Sequence, residues 1–295
     1  MATEAQIIDG KELARLEREG IADRAEAVRA AGGTVSLDAV LVDTGRAGGG
    51  GARVYAENQA KTCGALGIDY NLHELGADTD EKSLLGVIDG LNADRNVRAI
   101  MVHMPLPASI DEHKIKSRIG PEKDVEGVNP ANIGNIVYGY SSFAPCTALA
   151  TLRLIDSTGI ELRGKRAVVV GASNTVGKPA AALLMTRDAT VVSCNEWTEG
   201  IEELARSADV LVAAAGRAGL VTPEWVKPGA AVIDVGVNRV IGADGKGRVV
   251  GDVDFEGVRH VAGWLSPVPG GVGPMTVAVL LGNVVEVAMR SLGPG

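Results

Sequence analysis

The stretch with the clearest chemical potential runs from Arg166 to Leu184 and reads RAVVVGASNTVGKPAAALL. Its apolar run at 167–170 predicts a buried strand, Gly171 ends that run, and an Ala/Leu-rich helix begins near Gly177. A strand, a tight glycine turn and a helix N-terminus direct free backbone N–H groups and the helix dipole at one place, which favours an anion site. The middle glycine of G-x-G-x-x-G is absent, so an ordinary turn between a strand and a helix is the competing interpretation.

A second stretch, at 267–276, reads PVPGGVGPMT. Its three prolines and three glycines hold the backbone rigid and let a ligand approach closely. The stretch follows the last predicted strand, so we expect it at the carboxyl edge of a sheet, where α/β proteins bind their ligands. A purely structural loop is the alternative.

Composition narrows the function classes. The chain has 295 residues, a net charge of −8 and no basic block, which argues against nucleic acid as a partner. The N-terminus is too polar for a signal peptide and no apolar run reaches membrane-spanning length, so we expect a cytoplasmic protein with no membrane partner. Cys63, Cys146 and Cys194 are too scattered for a disulfide framework or a metal cluster, and we expect no metal.

Alternating strands and helices must position these stretches, and such alternation predicts parallel sheets covered by helices. The first half predicts strands at 35–42, 70–75 and 99–104, helices at 11–31, 54–66 and 81–91, and a glycine-rich loop at 44–51. The pattern restarts around 145–147 with a helix at 149–157, strands at 167–170, 189–194, 209–215, 230–235 and 260–265, and a final helix at 277–292. The predicted fold is α/β with two doubly wound domains, 1–147 with the C-terminal helix 277–295, and a Rossmann-type domain at 148–276.

Six motifs stand in the order of one known family: PEKDVEG at 121–127, PCT at 145–147, GAS and VGKP within 171–179, DVG at 234–236, GDV at 251–253 and PVPGGVGPMT at 267–276. Together they resemble the methylenetetrahydrofolate dehydrogenase/cyclohydrolase family. The resemblance covers nearly the whole chain. It implies a folate-side catalytic domain, an NAD-binding Rossmann-type domain, a cleft between them, a tetrahydrofolate substrate and a homodimer.

The folate-side polar residues depart from the family pattern at four places. The family carries Tyr-x-x-x-Lys on the first-domain helix, whereas this chain has Tyr55 and Gln59. His103 replaces a glutamine, Glu126 replaces an aspartate, and Ala52 replaces a serine. The resemblance places Tyr55, Gln59, His103 and Glu126 at the catalytic positions.

The two family reactions differ in what they require. Dehydrogenation moves a hydride to nicotinamide and needs alignment, whereas hydrolysis of the methenyl product needs proton transfer. Gln59 can form hydrogen bonds but has no proton to exchange at neutral pH. The sequence therefore predicts a dehydrogenase with weak or absent cyclohydrolase, similar to the monofunctional NAD-dependent branch. The alternatives are a bifunctional enzyme that uses His103 or water, a folate- or nucleotide-binding pseudoenzyme, and an enzyme for another pterin or cyclic amine.

The cofactor expectation is NAD rather than NADP. NADP-using members typically carry an arginine where this chain has Ala172, and an acid, Glu196, follows the second Rossmann strand. That acid accepts hydrogen bonds from ribose hydroxyls and repels a 2′-phosphate, although Arg187 or Arg217 nearby would weaken the argument.

The remaining site assignments follow the same motifs. The substrate-binding residues expected are Tyr55, Gln59, His103, Pro105, Glu126, Pro269, Gly270 and Gly271. The cofactor-binding residues expected are Gly171, Ala172, Ser173, Val176, Gly177, Glu196, Gly216, Gly236, Val237, Gly273 and Thr276.

Overall fold

The structure, a computed structural model, describes residues 4–44, 50–140, 143–242 and 245–292. The elements are β1 (Gln6–Ile7), α1 (Gly10–Ala30), β2 (Ser36–Val42), α2 (Gly50–Ala65), β3 (Asp69–Leu75), α3 (Glu81–Ala93), β4 (Ile100–Val102), α4 (Glu112–Arg118), α5 (Pro130–Val137), α6 (Cys146–Ser157), β5 (Arg166–Val170), α7 (Gly177–Met185), β6 (Thr190–Cys194), α8 (Ile201–Arg206), β7 (Val210–Ala213), a 3-10 helix (Pro223–Trp225), β8 (Ala231–Asp234), β9 (Asn238–Ile241), β10 (Gly247–Val250), α9 (Phe255–Val258), β11 (Trp264–Leu265) and α10 (Val272–Arg290).

The chain divides into two compact units, and the division passes through α1 and α10. Unit 1 comprises Met1–Arg15, Ile136–Tyr140 and Ala144–Val279, and unit 2 comprises Leu16–Asn135, Ser141–Phe143 and Leu280–Gly295.

Unit 2 is built on a parallel three-stranded sheet in the order β3-β2-β4. The central strand β2 reads SLDAVLV and is buried at every residue, as expected for a strand covered on both faces. Helix α3 begins after Asp80, whose carboxylate accepts a hydrogen bond from the Ser83 backbone N–H, and it buries Leu84 and Ile88 in the core. Polar side chains follow the carboxyl end of β4, which positions the first candidate site.

Unit 1 contains a six-stranded sheet in the order β1-β11-β8-β7-β5-β6, with parallel pairing throughout. The valine-rich strand β5 lies between β6 and β7 and is buried except at Arg166. The core of unit 1 is formed mostly by alanine and valine side chains together with Trp225, Leu211 and Leu265, in keeping with a chain in which only 3% of residues are aromatic. The α/β fold and the Rossmann-type sheet predicted from the sequence are confirmed.

Several boundaries differ from the predicted ones. Strand β1, which the sequence analysis missed, pairs Gln6 with Trp264, so the start of the chain belongs to the six-stranded sheet and not to the 1–147 domain as predicted. The strand predicted at 260–265 is reduced to β11, because a hydrogen-bonded turn follows α9 and extends to Ala262. The antiparallel pair β9–β10 was also missed. The glycine-rich loop predicted at 44–51 lies largely outside the described residues, and α2 begins at Gly50.

Helix α10 begins at Val272 rather than near 277, so the second half of PVPGGVGPMT is helical. By length and composition alone, α10 is also the one helix of the described ranges that could cross a membrane, although the sequence analysis found no apolar run of that length. Half of its apolar window is buried inside the protein, as in the core helix of a globular domain.

Candidate active site

Two tyrosine side chains contact the His103 ring in unit 2. Tyr55, on α2, meets the imidazole ring edge-on, with ring centroids 5.8 Å apart. From β3, the Tyr70 hydroxyl lies 2.9 Å from His103 Nε2. Burial lowers the pKa of His103, which favours the neutral ring, and a neutral ring can accept a hydrogen bond from the Tyr70 hydroxyl. The structure thus brings the predicted residues Tyr55 and His103 together and adds Tyr70, which the sequence analysis missed.

Gln59 lies one helical turn after Tyr55, and only 3% of its surface is exposed. Neither Oε1 nor Nε2 of its amide has a hydrogen-bond partner. A buried amide without partners is destabilising, so this group is suited to receive a polar ligand or a water molecule. The prediction that Gln59 binds substrate therefore has a physical basis in this chain.

Two neighbouring carboxyl groups follow β4 in the loop that begins at residue 120. Asp124 is fully buried, and its Oδ2 accepts hydrogen bonds from the Asn129 backbone N–H at 2.7 Å and from Asn132 Nδ2 at 2.9 Å. Burial, reinforced by the Asp124 charge, raises the pKa of Glu126 to about 7, while a hydrogen bond from the Val102 backbone opposes the shift. Glu126 can therefore hold or release a proton near neutral pH.

A further polar pair, Asp38 and His73, connects β2 and β3. Asp38 Oδ1 lies 2.9 Å from His73 Nε2, and Asp38 is 4% exposed. His73 belongs to none of the sequence motifs. The signal for the pair is Asp38 itself, since it is the single charged residue of the otherwise apolar SLDAVLV strand.

The second candidate site is a cavity of about 650 Å³ in unit 1, at the carboxyl ends of β5, β6 and β7. Four predicted cofactor residues line it: Gly171, Ala172, Ser173 and Glu196. The cavity is also lined by Arg217, which was expected nearby. Three further lining residues had no assigned role: Lys178, Asn195 and Trp197. Trp197 is 83% exposed, which is unusual for so large an apolar side chain.

The glycine turn of this cavity is constrained by backbone packing. Gly171 has φ +110°, and a Cβ atom there would lie 2.1 Å from the Ala214 carbonyl oxygen. A Cβ atom on Gly177 would lie 1.9 Å from the Gly171 carbonyl oxygen. Both positions therefore require glycine, and they shape the turn at the start of α7, where backbone N–H groups can receive phosphate. A dinucleotide therefore fits this turn and cavity.

Other predicted cofactor residues do not line this cavity: Val176, Gly177, Gly216, Gly236, Val237, Gly273 and Thr276. The Gly236 backbone N–H donates to Asp234 Oδ1 and the Gly216 N–H to Asp252 Oδ2, so both amides are used inside the protein. Arg187 pairs with Asp156 at 2.6 Å and lies outside the lining set.

The buried carboxylates Asp234 and Asp252 support this edge of unit 1. Asp252 Oδ2 accepts the backbone N–H groups of Ala215 and Gly216 at 2.6 and 2.8 Å. Asp234 accepts the Asp252 and Val253 N–H groups at 2.9 and 3.0 Å. Burial nevertheless raises the pKa of Asp234 to about 6. The DVG and GDV motifs therefore hold the loops that border the cavity.

The PVPGGVGPMT segment is tightly packed against the start of the chain. A Cβ atom on Gly10 would lie 1.9 Å from the Gly271 carbonyl oxygen, and Gly270 adopts φ +115°. Pro269 is exposed at the tip, as is Pro105 after β4 in unit 2, and both follow cis peptide bonds. Thr276 donates its hydroxyl to the Val272 carbonyl oxygen within α10. Close packing of the chain on itself thus accounts for Gly10 and Gly271.

Comparisons with known proteins match both parts of the chain to one family. Residues 8–126 match the family model described as tetrahydrofolate dehydrogenase/cyclohydrolase, catalytic domain, and residues 145–292 match its NAD(P)-binding domain. The bifunctional protein FolD of Cupriavidus necator is 47% identical over 289 residues, covering 98% of this chain and 99% of the relative. The Moorella thermoacetica FolD is 46% identical over 286 residues, 97% of this chain and 99% of the relative.

Solved structures show the same similarity. The bifunctional FolD of Campylobacter jejuni superposes with a TM-score of 0.91 at 38% identity, over 97% of this chain and 99% of that one. The Trypanosoma brucei methylenetetrahydrofolate dehydrogenase-cyclohydrolase, solved with NADP and an inhibitor, gives 0.90 at 35% identity, over 99% of this chain and 100% of that one.

Proposed function

Because the chain belongs to the tetrahydrofolate dehydrogenase/cyclohydrolase family, we propose that it oxidises 5,10-methylenetetrahydrofolate with a nicotinamide dinucleotide and also hydrolyses the methenyl product. The observation that carries the oxidation is the 650 Å³ cavity of unit 1, which is lined by the glycine turn at Gly171 and by the residues that follow β6. The observation that carries the hydrolysis is a group that exchanges protons near pH 7, Glu126, in the folate-side unit.

In the oxidation the protein supplies alignment. When bound, the nicotinamide would supply the hydride acceptor for the methylene carbon, and no side chain has to take a proton in that step. The turn at Gly171 and Ser173 would hold the dinucleotide phosphates, and Glu196 would accept hydrogen bonds from ribose hydroxyls. Tyr55 presents an aromatic ring, 46% exposed, that can stack on the flat part of a folate.

The hydrolysis departs from what the sequence analysis predicted. The sequence predicts weak or absent cyclohydrolase activity because Gln59 replaces the family lysine. Relatives at 46–47% identity are nevertheless named bifunctional, which favours the bifunctional alternative. Water that adds to the cationic methenyl carbon must lose a proton. The C–N bond then opens as the hydroxyl becomes a carbonyl, and the departing nitrogen gains a proton. Glu126 can take the proton that the water loses, neutral His103 is a second acceptor, and the Gln59 amide can orient the water.

One assay tests both activities. Purified protein is given methylenetetrahydrofolate with NAD or NADP and cofactor reduction is followed, then methenyltetrahydrofolate alone, with the spontaneous rate subtracted. We expect turnover in both. Binding without turnover would instead indicate the pseudoenzyme, and turnover only with other pterins would indicate a different substrate.

Substitutions at Glu126 and, if needed, His103 identify the residue that carries the proton. Glu126→Gln is expected to lower hydrolysis about a hundredfold or more and to spare oxidation. Glu57→Gln, an exposed acid on α2, is the matched control. Gln59→Lys, which restores the family amine, is expected to raise hydrolysis. Unchanged hydrolysis in Glu126→Gln would exclude this carboxyl and make His103→Asn the decisive variant.

The finer cofactor proposal is a preference for NAD. Its support is Glu196 in the cavity and the small Ala172 where family members that use NADP typically place an arginine. Arg217 and Lys178 share the cavity and offer charge to a 2′-phosphate, so the preference depends on the Glu196 carboxylate.

The homodimer, the cytoplasmic location and the cleft between the domains stay predictions. Light scattering on the purified protein tests the first, and cell fractionation the second.

A further inference from the structure

A cavity of about 710 Å³ lies in unit 2, and its lining includes none of Tyr55, Gln59, His103 and Glu126. Arg98, in this cavity, precedes β4, whereas His103 follows it. At about 3.3 Å per residue, roughly 15 Å of extended chain separates the two positions. The cavity is therefore a different site from the Tyr55–His103 contact.

The lining is strongly basic. It contains Arg95, Arg98, Lys123 and Arg290 against a single carboxylate, Glu122. The whole chain carries a net charge of −8, so this cavity is a local reversal of sign. Such a concentration of positive charge favours an anionic ligand.

Two of the four cations are already held by the protein. Lys123 Nζ donates to the carbonyl oxygens of residues 91, 92 and 94 at 2.7–3.0 Å and so caps the end of α3. Arg290 lies over the Phe143 ring, 4.9 Å from its centroid, and donates to Glu286 at 3.0 Å. These contacts fix two walls of the cavity and leave Arg95 and Arg98 as the groups that can turn to a ligand.

Arg98 is the distinctive residue. Its Nε is buried and has no hydrogen-bond partner, and no carboxylate of the described residues forms an ion pair with it. A guanidinium stays charged at any physiological pH, so a buried N–H without a partner is destabilising until an acceptor arrives. Arg95, three residues earlier, is exposed and has no ion pair within the described ranges.

We propose that this cavity binds an organic phosphate through Arg98 and Arg95. The planar fork of arginine matches phosphate oxygens, and two such side chains can hold a dianion. Val97, Val287 and Phe143 supply apolar surface beside the arginines, which suits a ligand with a carbon skeleton as well as a phosphate. The volume falls in the range of small-molecule sites.

The test uses the full chain, saturated with dinucleotide so that the cavity of unit 1 is filled. Phenyl phosphate and inorganic phosphate are titrated by calorimetry. We expect phenyl phosphate to bind in a saturable manner and more tightly than inorganic phosphate. Arg98→Gln should weaken its binding by about tenfold or more, since one charged contact is lost.

Two further variants keep the outcome decisive. Arg95→Gln should also weaken binding, and it decides the matter if Arg98→Gln fails to fold, because its side chain is exposed. Arg18→Gln removes the same charge from α1, outside the cavity, and should change nothing. The proposal is overturned by the absence of saturable binding, by wild-type affinity in both cavity variants, or by equal weakening in Arg18→Gln. None of these outcomes bears on the dehydrogenase assay.

Discussion

The Tyr55 and His103 rings stand nearly perpendicular, at 82°, with their centroids 5.8 Å apart. The contact joins α2 to the residue after β4, while Tyr70 from β3 holds His103 Nε2. Three elements of unit 2 thus fix one imidazole ring. Because Tyr55 is 46% exposed and His103 only 4%, the tyrosine is the member of the pair that a ligand meets first.

Truncation of Tyr55 therefore tests whether its ring stacks on the folate or only packs against His103. We expect Tyr55→Ala to raise KM for the folate about tenfold, because the aromatic surface is lost, and Tyr55→Phe to keep most of the affinity. Steady-state kinetics of both variants provide the measurement, and Tyr138→Ala, at a residue 90% exposed, is the control. Unchanged KM and kcat in Tyr55→Ala would reduce the tyrosine to a packing residue.

The unpaired amide of Gln59 predicts a conflict between stability and function. Gln59→Leu removes a buried polar group without partners at similar volume, so we expect the free energy of unfolding to rise by about 1–2 kcal/mol. The same variant should bind folate less tightly. Urea unfolding and folate titration measure the two effects, and a loss of stability would show that the amide is already satisfied, for example by water.

Glu126 predicts a pH-dependent stability. Its pKa rises from an ordinary 4.5 to about 7 on folding, so between these pH values the unfolded chain has lost a proton that the folded chain keeps. The stability from this group is complete below pH 4.5 and is lost as the pH rises through 7, a decline of about 1–3 kcal/mol. Urea unfolding at several pH values should show a steeper decline in the wild type than in Glu126→Gln, where the raised pKa of Asp234 still contributes. Parallel profiles would show that Glu126 titrates normally.

The sequence predicted the strongly patterned elements and missed those that depend on distant partners. Strands β2 and β5 were found because their continuous apolar runs are typical of strands buried on both faces. Strand β1 has only two residues, and its partner strand β11 lies more than 250 residues further along the chain. Predicting it requires the tertiary structure, because two residues carry no periodicity.

The two candidate sites show the same difference between features with a local sequence pattern and features that depend on distant residues. The Gly171 turn and Glu196 could be placed in one cavity because both follow predicted strands of one sheet. Gly236 was assigned to the cofactor by motif, and its backbone N–H donates to Asp234 Oδ1. The Gly216 amide donates to the carboxylate of Asp252, 36 residues further along the chain, and that pairing is visible only in the tertiary structure.

The Gly171 turn predicts a sharp steric effect. Gly171→Ala places a methyl group 2.1 Å from the Ala214 carbonyl oxygen at a φ of +110°, so we expect loss of dinucleotide binding and a marked fall in melting temperature. Gly64→Ala, in α2 with no atom within 4 Å of the new methyl group, should be neutral or stabilising. Thermal unfolding and cofactor titration compare the two. An unimpaired Gly171→Ala would show that this turn adapts.

The balance of charge in the unit 1 cavity gives a prediction about cofactor choice. Glu196 opposes a 2′-phosphate, while Arg217 and Lys178 attract it. Removal of the acid in Glu196→Ser should raise kcat/KM for NADP by about tenfold to a hundredfold, on the basis of one charge clash worth about 1–3 kcal/mol, and leave NAD less affected. Arg217→Gln should act in the opposite direction. Glu199→Gln, an exposed acid that does not line the cavity, controls for net charge. If Glu196→Ser leaves the ratio of the two cofactors unchanged while Arg217→Gln shifts it, the arginine governs the choice, and the preference for NAD drawn from Glu196 is wrong.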